Sequence, residues 1–314
     1  MGSSAAKHGC CANARIGRPT GAGINRAIES TTARDRRRNF SSEGSAVDLP
    51  LSPTTSAHLG AAKVLRDMSA IREAVILMAG SGSRLRRSPE TLPKPLTPIL
   101  GRPLISYTLN ALAGAGITKI NIVVGYESDR LTAAVAELAP SNVTLSFVLN
   151  PEWQKQNGIS LLAAAKNIKS NFLLTMSDHL FDNVIVDLLM ESAVPSVLNL
   201  TVDRKINSIF DLDDAMKVQT QGGRVVAIGK ELPNYDAIDT GLFVCPIEIF
   251  AYLERAKENR DCSLADSVRL MATDGKVRAI DIGDAWWQDI DTVEMLQHAE
   301  KHMAEESKTQ RLAK

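Results

Sequence analysis

Leu77-Met78-Ala79-Gly80-Ser81-Gly82-Ser83-Arg84-Leu85, followed by Pro93-Lys94-Pro95, decides the reading of this chain. The apolar run Ala74–Met78 has the length and composition of a buried strand, and it ends in a loop of small residues. Glycines there let backbone N–H groups approach phosphate oxygens with no Cβ in the way. Arg84 can add a planar fork of donors and Lys94 a point charge. Met78, Ala79, Gly80, Ser81, Gly82 and Ser83 are therefore candidate nucleotide ligands, and Arg84 and Lys94 candidate catalytic groups. The glycine spacing is not that of a dinucleotide-binding loop, and the Gly-Lys-Ser/Thr of a P-loop is missing. A tight strand-to-helix turn with surface charges is the plainer alternative. It does not explain why Arg84 and Pro93-Lys94-Pro95 follow in register.

Outward from this loop, short β-branched runs alternate with amphipathic stretches of helical length. The pattern predicts strands at Ala74–Met78, Lys119–Val124, Val143–Leu149 and Phe172–Met176. It predicts helices at Pro103–Ala113, Ser128–Leu138 and Ile159–Ile168. Such alternation implies a mainly parallel sheet with helices on both faces. Strands are then expected at Lys217–Gln219, Val225–Ile228, Gly241–Val244 and Val277–Ile280, as a mixed or antiparallel extension. Helices are expected at Ile247–Lys257, Leu264–Met271 and Thr292–Glu306. There is no internal repeat.

Residues 1–70 differ from the rest. They are rich in Ser, Ala, Gly, Thr and Arg, with Arg36-Arg37-Arg38 and no apolar periodicity. Disorder, an upstream start with the true one at Met68, and a targeting peptide all remain open. The net charge of zero hides an asymmetry. Residues 1–72 hold 11 Lys/Arg against 5 Asp/Glu, leaving an acidic body with 25 against 31. That body argues against a nucleic-acid partner. The four cysteines, Cys10, Cys11, Cys245 and Cys262, have neither zinc nor disulfide spacing and fit a reducing, cytoplasmic setting. No apolar run approaches the roughly 18 residues of a membrane helix.

Further candidates lie along the chain. Asp178 follows the strand Phe172–Met176; it either caps the next helix or sits at the carboxyl edge of the sheet, where ligands bind in open α/β folds. His179 carries no assignment. Asp289 and Asp291 precede a helix; Asp291 is the expected cap and Asp289 the expected metal ligand, with Asp291 as a second candidate. Lys217 and Lys230 are solvated strand lysines or phosphate ligands. Asp239 either closes a turn or bonds a substrate hydroxyl, with Thr240 beside it. Trp153 is expected to pack in the core or a lid.

The glycine loop resembles the signature of the sugar-phosphate nucleotidyltransferase superfamily. Later segments fall in the same order: Asn157-Gly158-Ile159-Ser160, Ser177-Asp178-His179, and Trp286-Trp287-Gln288-Asp289-Ile290-Asp291-Thr292. With Ala215-Met216-Lys217-Val218, Ile228-Gly229-Lys230 and Asp239-Thr240-Gly241, they look most like inositol-1-phosphate cytidylyltransferase. The resemblance covers roughly residues 72–305. It implies a Rossmann-like three-layer α/β/α sandwich forming one nucleotidyltransferase domain over 71–314. It implies Asn157 and Gly158 at the nucleotide, Mg²⁺ on Asp178 and Asp289, and Lys230 on an acceptor phosphate, with Lys217, Asp239 and Thr240 nearby. The implied reaction transfers CMP from CTP to a small phosphorylated alcohol, inositol 1-phosphate, and releases pyrophosphate.

The family often fuses this domain to a membrane alcohol phosphotransferase. With no such segment before Lys314, a stand-alone enzyme is expected. It would not be inserted in a membrane, its product could feed a separate phosphotransferase, and a homodimer is compatible. Phosphocholine, aminoethylphosphonate and sugar-1-phosphate nucleotidyltransferases remain alternatives, as does an inactive nucleotide-binding regulator. The scarcity of aromatics speaks against a cage for a quaternary ammonium.

Overall fold

In the computed structural model, residues 71–85 and 91–312 are described, without the side chains of 310–312. The expectations for residues 1–70, Cys10 and Cys11 among them, lie outside the described residues. The chain runs through β1 (Glu73–Met78), the two-residue strands β2 (Pro98–Ile99) and β3 (Arg102–Pro103), α1 (Leu104–Gly114) and β4 (Lys119–Val124). It continues with α2 (Ser128–Ala136), β5 (Thr144–Leu149), α3 (Asn157–Ala163), β6 (Phe172–Met176), β7 (His179–Phe181) and α4 (Asn183–Ser192). Then come β8 (Leu198–Asp203), β9 (Lys217–Gln221), β10 (Arg224–Gly229), β11 (Ala237–Cys245), α5 (Ile249–Ala256) and α6 (Leu264–Thr273). β12 (Val277–Asp281), β13 (Trp287–Asp289) and α7 (Val293–Leu312) close the chain.

Nine strands form one mixed sheet in the order β5-β4-β1-β6-β11-β8-β12-β10-β9. β1 pairs parallel with both β4 and β6, and β4 parallel with β5; β11 then runs antiparallel to β6 and to β8. The period-two alternation of a strand explains the layers. Ala74, Ile76 and Met78 of β1 enter one apolar cluster with Ile105, Leu109 and Leu112 of α1 and Ile185 and Leu189 of α4. Val75 and Leu77 enter the opposite cluster with Leu161 of α3, Leu253 of α5 and Val268 of α6. Burying each such Leu or Ile contributes about 1.5–3 kcal/mol. Both faces are covered, as the sequence pattern implies. Among the described residues, no helix is long and apolar enough to cross a membrane.

Several elements depart from the sequence reading. Helix α3 ends at Ala163, not Ile168, and residues 164–167 form turns instead. Sequence reading missed β7, α4, β8 and β13. The reason is clearest in β8, where polar Asn199, Thr201 and Asp203 alternate with Leu198, Leu200 and Val202, yet all six are buried. Asn199 bonds backbone groups of Val194 and Val197, and Thr201 donates to the Leu242 carbonyl at 3.0 Å. Only these partners make such a strand tolerable on both faces.

Candidate active site

The parallel register of β1 and β6 sets Leu77 beside Met176, so the glycine loop and Asp178 leave the sheet side by side. The Ser177 N–H donates to the Leu77 carbonyl at 3.1 Å and fixes that exit. Gly82 has φ +61°, and a Cβ there would lie 2.6 Å from Cβ of Lys94. The loop can thus fold directly over the lysine stem only with glycine at this position. Lys94 opens a 3-10 turn between Pro93 and Pro95 and is 7 % exposed. A cation this deep needs partners. It donates to Asp178 Oδ2 and to Asp291 Oδ1, both at 2.6 Å.

The ion pairs continue outward. Arg84 donates to Asp291 Oδ2 at 2.5 Å and to Asp214 Oδ2 at 2.7 Å, and Asp214 also accepts from Lys230. Lys230, Asp214, Arg84, Asp291, Lys94 and Asp178 thus form a ladder of alternating sign. Burial pushes the Lys94 ammonium down, but Asp178 and Asp291 outweigh it and hold the pKa above the ordinary lysine value. Burial likewise raises the Asp178 carboxyl, and Lys94 and His179 together bring it well below the usual carboxylate range. Its ring neighbour His179 donates from Nδ1 to Asp178 Oδ1 at 2.8 Å.

Asp289 is placed by the pairing of β13 with β7, which sets it opposite His179. The Ile290 N–H bonds the Asp178 carbonyl at 2.9 Å and locks the two acidic segments together. Burial raises the Asp289 carboxyl, and nearby Asp291 and Asp178 raise it further against the opposing effect of His179. It accepts no hydrogen bond from a described residue. A partly buried carboxylate without a donor, beside a second carboxylate, suits a hard divalent cation that takes its remaining ligands from substrate phosphate. Among the described residues, no group of three His, Cys, Asp or Glu could hold a metal. The fit is therefore to a two-carboxylate site open toward a ligand.

Two cavities meet here. One of about 320 Å³ is lined by Met78–Arg84, Lys94, Asn157 and Asp178. The other, of about 930 Å³, is lined by Lys230, Asp239, Asp289, Asp203 and Phe210 among others. Arg84, Asn157, Asp178 and Asp291 border both. Asp239, pushed up to about 6 by burial, accepts from the Gly241 N–H at 2.7 Å. Gly241 has φ +77°, and a Cβ there would lie 2.3 Å from the His179 ring.

Not every expected residue is brought to the cavities. Thr240 is fully buried; its hydroxyl lies 2.5 Å from Thr201 Oγ1 and donates to the Thr201 carbonyl, so it is a sheet-interior group rather than a substrate ligand. Lys217 lines neither cavity and spends its ammonium on the carbonyls of Lys230 and Asp213. Gly158 is a packing position, where a Cβ would lie 2.6 Å from the Cys262 carbonyl oxygen. Asp291 does not cap α7. The Thr292 hydroxyl does so by accepting the Met295 N–H at 3.2 Å, which frees Asp291 for Arg84 and Lys94. Trp153 packs edge-on to Tyr126, outside both cavities.

Asp203 and Phe210 carry no local sequence signal and were missed as site residues. Asp214 belongs to the charged Asp211–Asp214 stretch, which the sequence offers, with Asp239 and Thr240, to the hydroxyls of an acceptor; in the structure it accepts from Arg84 and Lys230. The larger cavity also gathers Phe210, Trp286 and Trp287 from distant parts of the chain. This weakens the composition argument against an aromatic cage. Each ring already packs on a histidine, however: Phe210 lies tilted against His298, while Trp286 stacks on His302 and Trp287 on His179.

Residues 74–206 match the MobA-like NTP transferase domain family. The bifunctional IPC transferase and DIPP synthase of Aquifex aeolicus is 31% identical over 234 residues, 74% of this chain and 52% of that protein. The protein of the same description from Rubrobacter xylanophilus is 33% identical over 230 residues, 73% of this chain and 51% of that protein. The chain spans about half the length of these curated relatives. The solved structure of the inositol-1-phosphate CTP transferase from T. maritima superposes with a TM-score of 0.68 at 26% identity, covering 75% of this chain and 96% of that one.

Proposed function

We propose, from the match of residues 74–206 to the MobA-like NTP transferase domain family, that this chain transfers CMP from CTP to inositol 1-phosphate and releases pyrophosphate. The observation that carries the reading is the pair of adjoining cavities, which share Arg84, Asp178 and Asp291 at their junction. Two anions could meet there with cations on either side. The names of the similar proteins, IPC transferase and inositol-1-phosphate CTP transferase, support the choice of donor and acceptor.

An oxygen of the acceptor's phosphate attacks the α-phosphorus in line. The bond from that phosphorus to the bridging oxygen breaks, and pyrophosphate leaves with the electron pair. The amides of Gly80–Ser83 and Arg84 hold the β and γ phosphates. Lys94 faces the charge that grows on the α-phosphate, where a fixed, desolvated cation stabilises most. Asn157 lines the nucleoside side, and Lys230 holds the acceptor phosphate. Asp239 offers a hydroxyl of the acceptor its carboxyl. Asp178 and Asp289 would hold Mg²⁺, which when bound neutralises phosphate charge. Positioning and neutralisation suffice; no protein nucleophile is required.

The test is a matrix of kcat/KM values for four triphosphates against inositol 1-phosphate, choline phosphate, aminoethylphosphonate and hexose 1-phosphates. CTP with inositol 1-phosphate should lead. A site built to bond hydroxyls rejects an acceptor lacking them by up to roughly 10⁴-fold. The gathered rings of Phe210, Trp286 and Trp287 favour one second reading, a quaternary-ammonium acceptor. Preference for choline phosphate would establish that reading and remove the first. Preference for UTP or dTTP would remove the cytidylyl assignment.

A further inference from the structure

We infer that Asp214 is a positioning residue that couples the two anion subsites, holding Arg84 and Lys230 together in the free enzyme and yielding to substrate phosphates. This rests on the reading of Arg84 as a donor-phosphate ligand and Lys230 as an acceptor-phosphate ligand. Asp214 stands in the turns between β8 and β9, far in sequence from the glycine loop. Its Oδ2 accepts from Arg84 at 2.7 Å and its Oδ1 accepts from Lys230. Among the described residues it is the one carboxylate bonded to both. It also lines the larger cavity, with its side chain 37 % exposed.

Burial pushes the Asp214 carboxyl up, and the hydrogen bonds from Lys230 and Arg84 outweigh that and keep it ionised. Each partner is about half exposed, at 55 % for Arg84 and 47 % for Lys230. Exposed pairs of this kind are individually weak, so a phosphate can displace the carboxylate from either one. A triphosphate that takes Arg84 strips Asp214 of one of its two anchors. Lys230 then has a less firmly held competitor, and the acceptor phosphate binds more tightly. Linkage requires the same factor in the reverse direction. The carboxylate contributes nothing to either bound ligand and serves only to make the two bindings help each other.

The experiment measures binding, without turnover, by titration calorimetry. Tripolyphosphate probes the Arg84 side and inositol 1-phosphate the Lys230 side, each with and without the other. Wild type, Asp214→Asn and Asp214→Glu are compared, with Tm confirming that all three fold. The coupling factor of the wild type should exceed that of Asp214→Asn by roughly fivefold. Asp214→Asn should bind each probe alone more tightly, and Asp214→Glu should restore the wild-type pattern. In turnover, Asp214→Asn should lower KM with kcat nearly unchanged. Equal coupling in wild type and Asp214→Asn overturns the inference. Weaker acceptor binding by Asp214→Asn also overturns it, since Asp214 would then be a direct ligand. If inositol 1-phosphate fails to bind wild type at all, the acceptor reading is what fails. Inorganic phosphate then replaces it as the Lys230 probe, and the same comparison decides the coupling.

Discussion

Asp178 and Asp289 look alike in the sequence but stand in opposite electrostatic positions. Asp178 is held ionised by Lys94 and His179, whereas Asp289 has no donor among the described residues and two carboxylates close by. Their substitutions should therefore separate. Asp178→Asn is expected to cost at least about 10²-fold in kcat and roughly 1–3 kcal/mol of stability, because among the described residues Lys94 then keeps only Asp291 as an ionic partner. Asp289→Asn should lose turnover to a similar degree yet leave Tm unchanged or higher, because it removes a charge the fold disfavours. Steady-state kinetics and thermal melts check both, and retained turnover in either variant would remove that residue from the metal site. Asp239 supplies a pH signature. Burial raises its folded pKa to about 6, above the ordinary carboxylate value of 3.8. The folded state then holds a proton that the unfolded state has lost, so this group's contribution to stability falls as pH rises from about 4 to above 6. Asp239→Asn keeps an acceptor for the Gly241 N–H and lacks that cost. Its stability relative to wild type should climb across this window and then level off, a difference of up to about 3 kcal/mol. A flat difference from pH 4 to 8 would show that Asp239 is not strained by burial.

At the scale of elements, the glycines report where one piece of backbone rests on another. Gly158 lets α3 sit against the Cys262–Ser263 backbone, and the Asn157 side-chain oxygen accepts the Leu264 N–H at 2.8 Å. Helix α3 and the start of α6 are therefore one mechanical unit at the Asn157 end of the smaller cavity. Gly158→Ala should push them apart and cost about 1–3 kcal/mol. Its KM for the triphosphate should rise more than its kcat falls. A melt and a kinetic titration measure the two effects, and an unchanged Tm would show that the contact has room to relax. The sequence pattern located strands β1, β4, β5 and β6 because their apolar runs match the period and length of buried strands. It missed β8 because hydrogen bonds across the sheet, invisible in a local window, make its Asn and Thr compatible with burial. It missed β13 because three residues paired only with β7 carry no periodicity of their own.

At the scale of the whole molecule, the described strands of the nine-stranded sheet and the described lining of both cavities come after Arg72, and residues 1–67 have no apolar periodicity with which to dock. A chain beginning at Met68 is expected to keep the Tm and turnover of the full chain. A fall in either would assign residues 1–67 a place in the fold. By itself, the sequence determined the alternation of strands and helices, the loop of small residues after β1, and the presence of carboxylates at Asp178, Asp289 and Asp291. Those follow from short-range physics: side-chain period, glycine's missing Cβ, and the charge a residue type carries. Only the tertiary structure decided which of the charges face one another. It seated Asp291 between Arg84 and Lys94 by giving the helix cap to Thr292, and it closed Thr240 and Lys217 off from the cavities. It also brought Asp214 across from another segment to join Arg84 and Lys230. Electrostatic partnership depends on distances of a few ångströms between residues as far as 207 positions apart, and those distances are set by strand order and register.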